Sequence, residues 1–389
     1  MTDLRELHSI DEVPARDWNA LDGASCPFLR HEFLAALEHT GCVGKGTGWS
    51  PAHLAAFDGG RLVAATPVYR KSHSWGEFVF DFGWAQAYER HGFAYYPKLV
   101  CAVPFSPVNN SRLLTAPQPN GDGDQRLKLQ RLLVNALQDR CIGKSASSAH
   151  ALFIDEGERE VFQSQGWLLR HDVQFHWRNA GFTSFDGFLE TLKADKRKKV
   201  RRERRRCEEA GISFETLSGR DLTPELLRFI FHVHERTFIQ HGHEPYLNLA
   251  FFVELAKTLG DALMVKLARQ HGRPVAAAIF FWSPTALFGR YWGALDEFHS
   301  LHFEACYHQG IEFCIEHGLQ RFEPGTQGEH KVMRGFTPAS TWSAHYIADA
   351  RFREAIAEFL AREGVAVDAY ADQISAHSPF RRTTAGLPP

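Results

Sequence analysis

No C-x-x-C pair occurs among the seven cysteines of this 389-residue chain, and Cys26, Cys42, Cys101, Cys141, Cys207, Cys306 and Cys314 are scattered along it. An odd, dispersed set argues against a disulfide framework and a structural zinc site, and points to a reducing compartment. No run of about 18 apolar residues is present, so no membrane span is expected. The opening stretch "MTDLRELHSIDEVPARDW" carries scattered acids and no apolar core, unlike a secretory signal, which makes the cytoplasm the expected location. A formal charge of -2 provides no global field that would recruit nucleic acid or membrane, so affinity for a polyanion must be local.

What is present is ordinary globular composition, 44% hydrophobic and 23% charged, in a chain too long for one hydrophobic core. Two domains are expected, residues 1–170 and 171–389. "GRLVAAT" at 60–66 reappears as "GRPVAAA" at 272–278, each a turn entering a strand and each followed by an aromatic strand ending in a similar tetrad, "FGWA" at 82–85 and "YWGA" at 291–294. The matching order suggests a duplicated α/β unit.

Patterning places the domain boundary near 170–178, from which a short strand leads into one long helix starting at Ser184 or Asp186 and stopped by Gly211. Helices over 224–241 and 251–259 follow, then strands over 264–269, 275–282 and 287–293. A helix over 303–317 and a short strand over 321–323 complete a mixed sheet with helical cover.

Three constellations could carry chemistry. "KADKRKKVRRERRRCEE" at 193–209 has ten basic residues against four acidic, more than an i, i+4 ladder neutralises. Lys198, Lys199, Arg201, Arg202 and Arg205 are the expected phosphate ligands, against a solvated face as the plainer reading. In "FEACYHQGIEFCIEH" at 303–317, Phe303, Tyr307, Ile311 and Cys314 form an apolar stripe, while Glu304, His308, Glu312 and Glu316 recur on another face that most simply meets water. The stretch "RFEPGTQGEHKVMRGF" at 321–336 runs from a strand into Pro324, Gly325 and Gly328, so its backbone is shaped. It holds Gln327 together with Glu329, His330, Lys331 and Arg334, groups suited to acid-base work and oxyanion stabilisation. Arg290, Tyr291 and Trp292 of "GRYWG", with His302, Glu304 and Gln327, are the expected substrate-binding residues.

Taken together, "PFLRHEFLAALEHTG", "YYPKL", "AVPFSPV", "RKKVRRERRR", "GRYWG", "LHFEACYHQGIEFCIEHGL" and "FEPGTQGEHKVMRGF" resemble the bacterial FemAB-like family of peptidoglycan biosynthesis or recognition proteins, within the GNAT superfamily of acyl-CoA N-acyltransferases. The resemblance spans residues 27–379. It implies two tandem GNAT-like domains of α/β class with mixed sheets, in FemAB-type architecture. It also implies a transferase moving an acyl or aminoacyl group from a phosphate-containing carrier to an amine. The carrier would be acyl-CoA or aminoacyl-tRNA acting as co-substrate, with no covalently bound cofactor and no metal. The acceptor would be a small molecule, a peptide or a peptidoglycan precursor, with tRNA as a further partner. "KVMRGF" resembles the family's basic-Gly-Phe signature, placing Arg334 and Lys331 near the reacting carbonyl. A clean R/Q-x-x-G-x-G/A loop for CoA pyrophosphate is missing, as is the long helical hairpin of some Fem enzymes.

Two other readings fit the same residues. One is a non-catalytic protein that recognises a peptidoglycan precursor or nucleic acid through a Fem-like groove. The other is a metal-dependent hydrolase using His302, Glu304, Glu329 and His330.

Overall fold

The structure, a computed structural model, describes residues 2–118, 123–143, 146–326 and 328–381. Among the described residues the strands are β1 (Asp3–Leu7), β2 (Trp49–Pro51), β3 (His53–Asp58), β4 (Arg61–Thr66), β5 (Val68–Lys71), β6 (Lys98–Cys101), β7 (Leu114–Thr115), β8 (Ser148–Ile154), β9 (Leu168–Arg178), β10 (Ile212–Ser218), β11 (Leu263–Gln270), β12 (Arg273–Trp282), β13 (Ala286–Ala294), β14 (Arg321–Glu323) and β15 (Thr337–Ile347). The chain divides into two compact units, Met1–Asp172 with Ser340–Ala369, and Val173–Ala339 with Tyr370–Pro389. A single block from 171 to 389 therefore does not describe the second half. Residues from Ser340 return to the first unit because β15 pairs antiparallel with β8, Ser343 opposite Leu152 and Ile347 opposite Ser148.

The first unit contains a sheet in the order β1-β3-β4-β7 and the strand series β15-β8-β6-β5-β2. "GRLVAAT" forms the turn and second strand of the antiparallel β3–β4 hairpin. "GRPVAAA" does the same for β11–β12 in the second unit, so this part of the repeat is structural. The tetrads part company. "YWGA" lies in β13, whereas "FGWA" opens the helix Phe82–Arg90, where Trp84 and Tyr88 sit one turn apart and pack on Tyr95, Ile347, Ile356 and Leu360. Helical spacing of two large aromatics overrides the strand propensity of the local run.

Beneath that helix lies a continuous buried polar network. Lys98, 0% exposed, donates to Ser74 Oγ at 2.8 Å and Glu77 Oε2 at 2.8 Å, and also to Asp81. Asp81 accepts from Tyr95 Oη at 2.5 Å, and Tyr95 lies 3.3 Å from His150 Nε2. His150 then meets His345 of β15, Nδ1 to Nδ1 at 2.7 Å. Burial alone would lower the Lys98 pKa, but Glu77 and Asp81 outweigh it and raise it. Asp81, which burial would raise, is instead held down at about 2 by Lys98.

In the second unit the sheet runs β10-β11-β12-β13-β14-β9, antiparallel throughout except for β13 with β14. Its core gathers Phe188, Leu189, Val200, Phe280, Leu287, Ile311, Cys314, Phe322 and Phe336. The expected long helix is two helices, Phe185–Thr191 and Ala194–Glu209. Ser184 caps the first through the Gly187 N–H. The break falls at Leu192, which bridges Phe380, and at Lys193, whose N–H donates to Pro379 O at 2.8 Å. A tertiary contact interrupts a sequence that is helical by propensity.

Removing one partner from the first unit's network leaves the others buried and uncompensated. Lys98→Met should destabilise that unit by about 3–5 kcal/mol in urea unfolding; a loss below about 1 kcal/mol would mean that the network is not holding the unit together.

Candidate functional site

The second unit brings together two charge runs that look independent in the sequence. The helix Ala194–Glu209 buries Val200, Glu203 and Cys207 on one side. Glu203 is 4% exposed and accepts a forked pair from Arg334, Nε to Oε2 at 3.0 Å and Nη2 to Oε1 at 2.5 Å. His308, 0% exposed, donates from Nε2 to the same carboxylate at 2.9 Å. The next residue, Arg204, pairs with Glu304 at 3.2 Å and Glu312 at 2.5 Å. The glutamate and histidine stripe of 303–317 is therefore not a solvated face where Glu304 and His308 are concerned: both are buried against the basic helix.

That stripe also departs from a regular helix. Leu301–Phe303 is helical, Glu304–His308 forms a π turn, and Gln309–Glu316 returns to α. The extra residue of a π turn rotates the side chains that precede it relative to those that follow, and such turns concentrate at functional sites. Here it directs Cys306 and Tyr307 to a cavity while Glu304 and His308 meet the basic helix.

The cavity arises where two strands part. β13 and β14 pair in parallel at three positions only, Ala286 with Arg321, Leu287 with Phe322 and Phe288 with Glu323. Pro324 has no N–H to continue the ladder, and β13 runs on to Ala294. The register of β12 with β13 shifts between Ile279 and Phe280, leaving Arg290 as the extra residue of a bulge. A cavity of about 120 Å³ opens there, lined by Ala278, Ile279, Phe280, Gly289, Tyr291, His302 and Tyr307, with Arg290, Trp292, Cys306 and Pro324 completing its wall. Of the expected substrate-binding residues, Arg290, Tyr291, Trp292 and His302 line this cavity. Glu304 does not, and Gln327 lies outside the described residues.

Residues Glu329–Arg334 form a short helical turn rather than an open loop, bracketed by Gly328 and Gly335 at φ 116° and 93°. Glycine enters that region without strain. Its four expected catalytic residues face four environments. Glu329 is exposed and accepts from Tyr370 Oη at 3.0 Å. His330 is half-buried, its Nε2 2.9 Å from Tyr307 Oη. Lys331, 2% exposed, donates to Gly325 O at 2.7 Å. Arg334, 1% exposed, is taken up by Glu203 and by His330 O, with its guanidinium 3.5 Å over the Phe303 ring. It positions the turn.

Electrostatics separate these groups further. Burial lowers His330 below the ordinary histidine range, and the cations Arg334, Lys331 and Lys199 add to the shift. His302 falls to about 4 by burial first, then through His330 and Arg334. Burial also brings Lys331 down to about 7, with Cys306 pulling the other way. Tyr307 is raised by burial. At neutral pH the cavity is thus faced by a neutral His302, and Tyr307 connects it to a neutral, partly exposed His330.

Among the expected phosphate ligands, Lys198, Arg201, Arg202 and Arg205 share the exposed stripe of the basic helix. Arg201 and Arg205 make surface pairs with Asp186 and Glu209, at 3.4 Å each. Lys199 is half-buried and reaches Met333 Sδ at 3.7 Å. The residues a metal hydrolase would need are not gathered, and among the described residues no group of three His, Cys, Asp or Glu side chains could hold a metal ion. Tyr307 and Cys306 are the site residues that sequence reasoning missed. Tyr307 read as one member of an apolar stripe, and only the π turn turns it toward the cavity.

The Glu203 carboxylate is pulled two ways: burial raises its pKa, and the hydrogen bonds from His308 and Arg334 outweigh that and lower it below 4.5. A depressed folded value means that its stabilisation is complete above the unfolded value and drains away as pH falls through the folded one. Glu203→Gln should cost about 3–5 kcal/mol at pH 7 in chemical denaturation, and the gap to wild type should narrow on acidification. A gap that widens at low pH would contradict this assignment.

No curated protein matches the sequence. Among solved structures, FemX is 10% identical with a TM-score of 0.53, over 91% of this chain and 100% of that one. L-PGS from Bacillus licheniformis is 11% identical with a TM-score of 0.52, over 92% and 98%. A conserved protein of unknown function from Bacteroides thetaiotaomicron is 11% identical with a TM-score of 0.51, over 89% and 100%. At such identities the likeness speaks for the fold alone, which is α/β with mixed sheets in two units, of FemAB-type architecture. The family model for peptidoglycan biosynthesis/recognition matches residues 9–382, and the chain belongs to this FemAB-like family.

Proposed function

We propose that the protein is an N-acyltransferase whose chemistry takes place in the cavity where β13 and β14 part. One observation carries the reading: the Tyr307–His330 pair joins a cavity sized for a small acyl group to a partly exposed neutral imidazole. An acceptor amine enters as an ammonium and must lose a proton to become a nucleophile. With its own proton on Nδ1, His330 accepts the Tyr307 O–H at Nε2, so Tyr307 can take the amine proton as it passes its own to His330. The cavity walls from Tyr291 to His302 hold the acyl group and exclude water. Arg334 fixes the turn that presents His330, and Glu203 fixes Arg334.

The donor is an acyl or aminoacyl group on a phosphate-containing carrier, acyl-CoA or aminoacyl-tRNA. The exposed stripe Lys198, Arg201, Arg202 and Arg205 supplies the phosphate contacts, because cations one helical turn apart on a solvated face track an extended polyanion. An amine on a peptide or peptidoglycan precursor is the acceptor class favoured by membership of a peptidoglycan biosynthesis/recognition family.

Two measurements test this. Tyr307→Phe and His330→Ala should each lower kcat on the order of 10²–10⁴-fold with little change in donor affinity; binding lost without any turnover to lose would favour recognition without catalysis. Reversing Arg201, Arg202 and Arg205 to Glu should weaken carrier binding and flatten its salt dependence. Unchanged binding and an unchanged salt slope would remove the stripe from the donor site.

A further inference from the structure

The first unit holds a cavity of its own that has no part in the reaction just described. It measures about 500 Å³ and lies among the residues that follow β1, the end of the helix His31–His39 and the turn that leads into β2. That turn is the glycine-rich run "GCVGKGTG" at 41–48. Gly44, Gly46 and Gly48 stand at φ 122°, 84° and 75°, while Lys45 and Thr47 between them stay out of the left-handed region. A backbone that alternates hand in this way turns successive N–H groups to one side, a concavity suited to anions. The turn is also fixed. The Gly44 N–H donates to Trp49 O at 2.7 Å, Thr47 Oγ1 donates to Gly44 O at 2.9 Å, and His73 Nε2 lies 3.0 Å from Thr47 O. A Cβ on Gly48 would stand 2.1 Å from that imidazole, so the close approach requires glycine.

The donors and acceptors on this wall do not balance. The carboxylate of Glu38 is already taken up: Ser9 Oγ donates to it at 2.8 Å, the Ile10 N–H at 3.1 Å, and His53 Nε2 lies 3.0 Å away. His39 is 2.7 Å from Asp11. Among the described residues, by contrast, no partner is found for the Lys45 ammonium, the His8 ring or the Ser50 hydroxyl, all of which line the cavity, or for the N–H groups of Lys45 and Gly46. Donors without acceptors around one concave turn call for an anion with several oxygens. The volume falls in the range of small-ligand sites, roughly 300–1,000 Å³, and exceeds what a bare phosphate fills.

We infer that this cavity binds a small phosphate monoester. The phosphate sits on the turn at Gly44 and Lys45, within reach of the Lys45 ammonium and His8, and the organic part lies along Val43 and Pro51. A nucleotide and a sugar phosphate share this chemistry. The inference does not rest on the acyltransferase reading, since every residue it uses belongs to the first unit.

Isothermal titration calorimetry on the full chain at low salt tests this, with AMP, glucose 1-phosphate and inorganic phosphate as probes and adenosine and glucose as uncharged controls. One or both esters should bind more tightly than inorganic phosphate, and neither control should bind. Tighter binding of AMP assigns a nucleotide and tighter binding of glucose 1-phosphate a sugar phosphate, and either upholds the site. Lys45→Glu should weaken the ester about tenfold or more and His8→Ala about threefold, because each removes a donor to a charged oxygen. Both side chains are exposed, so melting curves should match wild type. Reversing Arg201, Arg202 and Arg205 to Glu should leave ester binding intact. No binding by either ester, or equal binding in Lys45→Glu, overturns the proposal. So does inorganic phosphate that binds as tightly as both esters, and so does ester binding lost only in the triple reversal, which would place the phosphate on the basic helix.

Discussion

The buried Glu203 carboxylate is the fixed point of the second unit. It lies on the inner face of the helix Ala194–Glu209, and its two partners come from separate elements, Arg334 from the turn Glu329–Arg334 and His308 from the π turn. A charge this deeply buried tolerates no loss of a partner, so the three elements hold one another in register. Arg334 in turn holds His330 O and lies over Phe303, which sets the imidazole where Tyr307 can reach it. The same pairing divides the basic helix into two faces. Its inner side neutralises acids of the π turn and the helix that follows, and its outer side keeps Lys198, Arg201, Arg202 and Arg205 in solvent.

The cavity depends on a second constraint, the short contact between β13 and β14. Three residue pairs close one end of the gap, Pro324 prevents the ladder from continuing, and the bulge at Arg290 re-aims the strand at the same level. A hydrogen-bonded sheet interior is thereby opened without exposing the core around Phe322. The buried titratable groups around it are kept neutral by desolvation, which is the state that proton transfer near neutral pH requires.

Much of this was legible in the sequence. The short strand over residues 321–323 is found where the pattern placed it, as are the hairpin repeats "GRLVAAT" and "GRPVAAA", because turn chemistry and alternation are local signals. Arg290, Tyr291, Trp292 and His302, expected together as substrate-binding residues, do line one cavity. Other features were hidden because they are set by contacts distant in sequence. Nothing near Leu192 announces that Phe380 will break the helix there. Nothing in the stripe Glu304, His308, Glu312 shows that its solvent is replaced by Arg204 and Glu203, more than 90 residues earlier in the chain. The π turn has no local signature either, and it is what separates Tyr307, which faces the cavity, from His308, which faces the carboxylate. In the first unit "FGWA" resembled a strand end, while its aromatics are spaced to cover one side of a helix.

The most direct test fills the cavity and asks whether transfer stops. Ala278 is buried on its wall, and Ala278→Phe would project a ring into the void. Acylated amine product should be followed by mass spectrometry with acyl-CoA and aminoacyl-tRNA donors, alongside a melting curve for each protein. Product from wild type and none from a folded Ala278→Phe variant is the predicted result; equal product from both proteins would place the chemistry elsewhere and contradict the account.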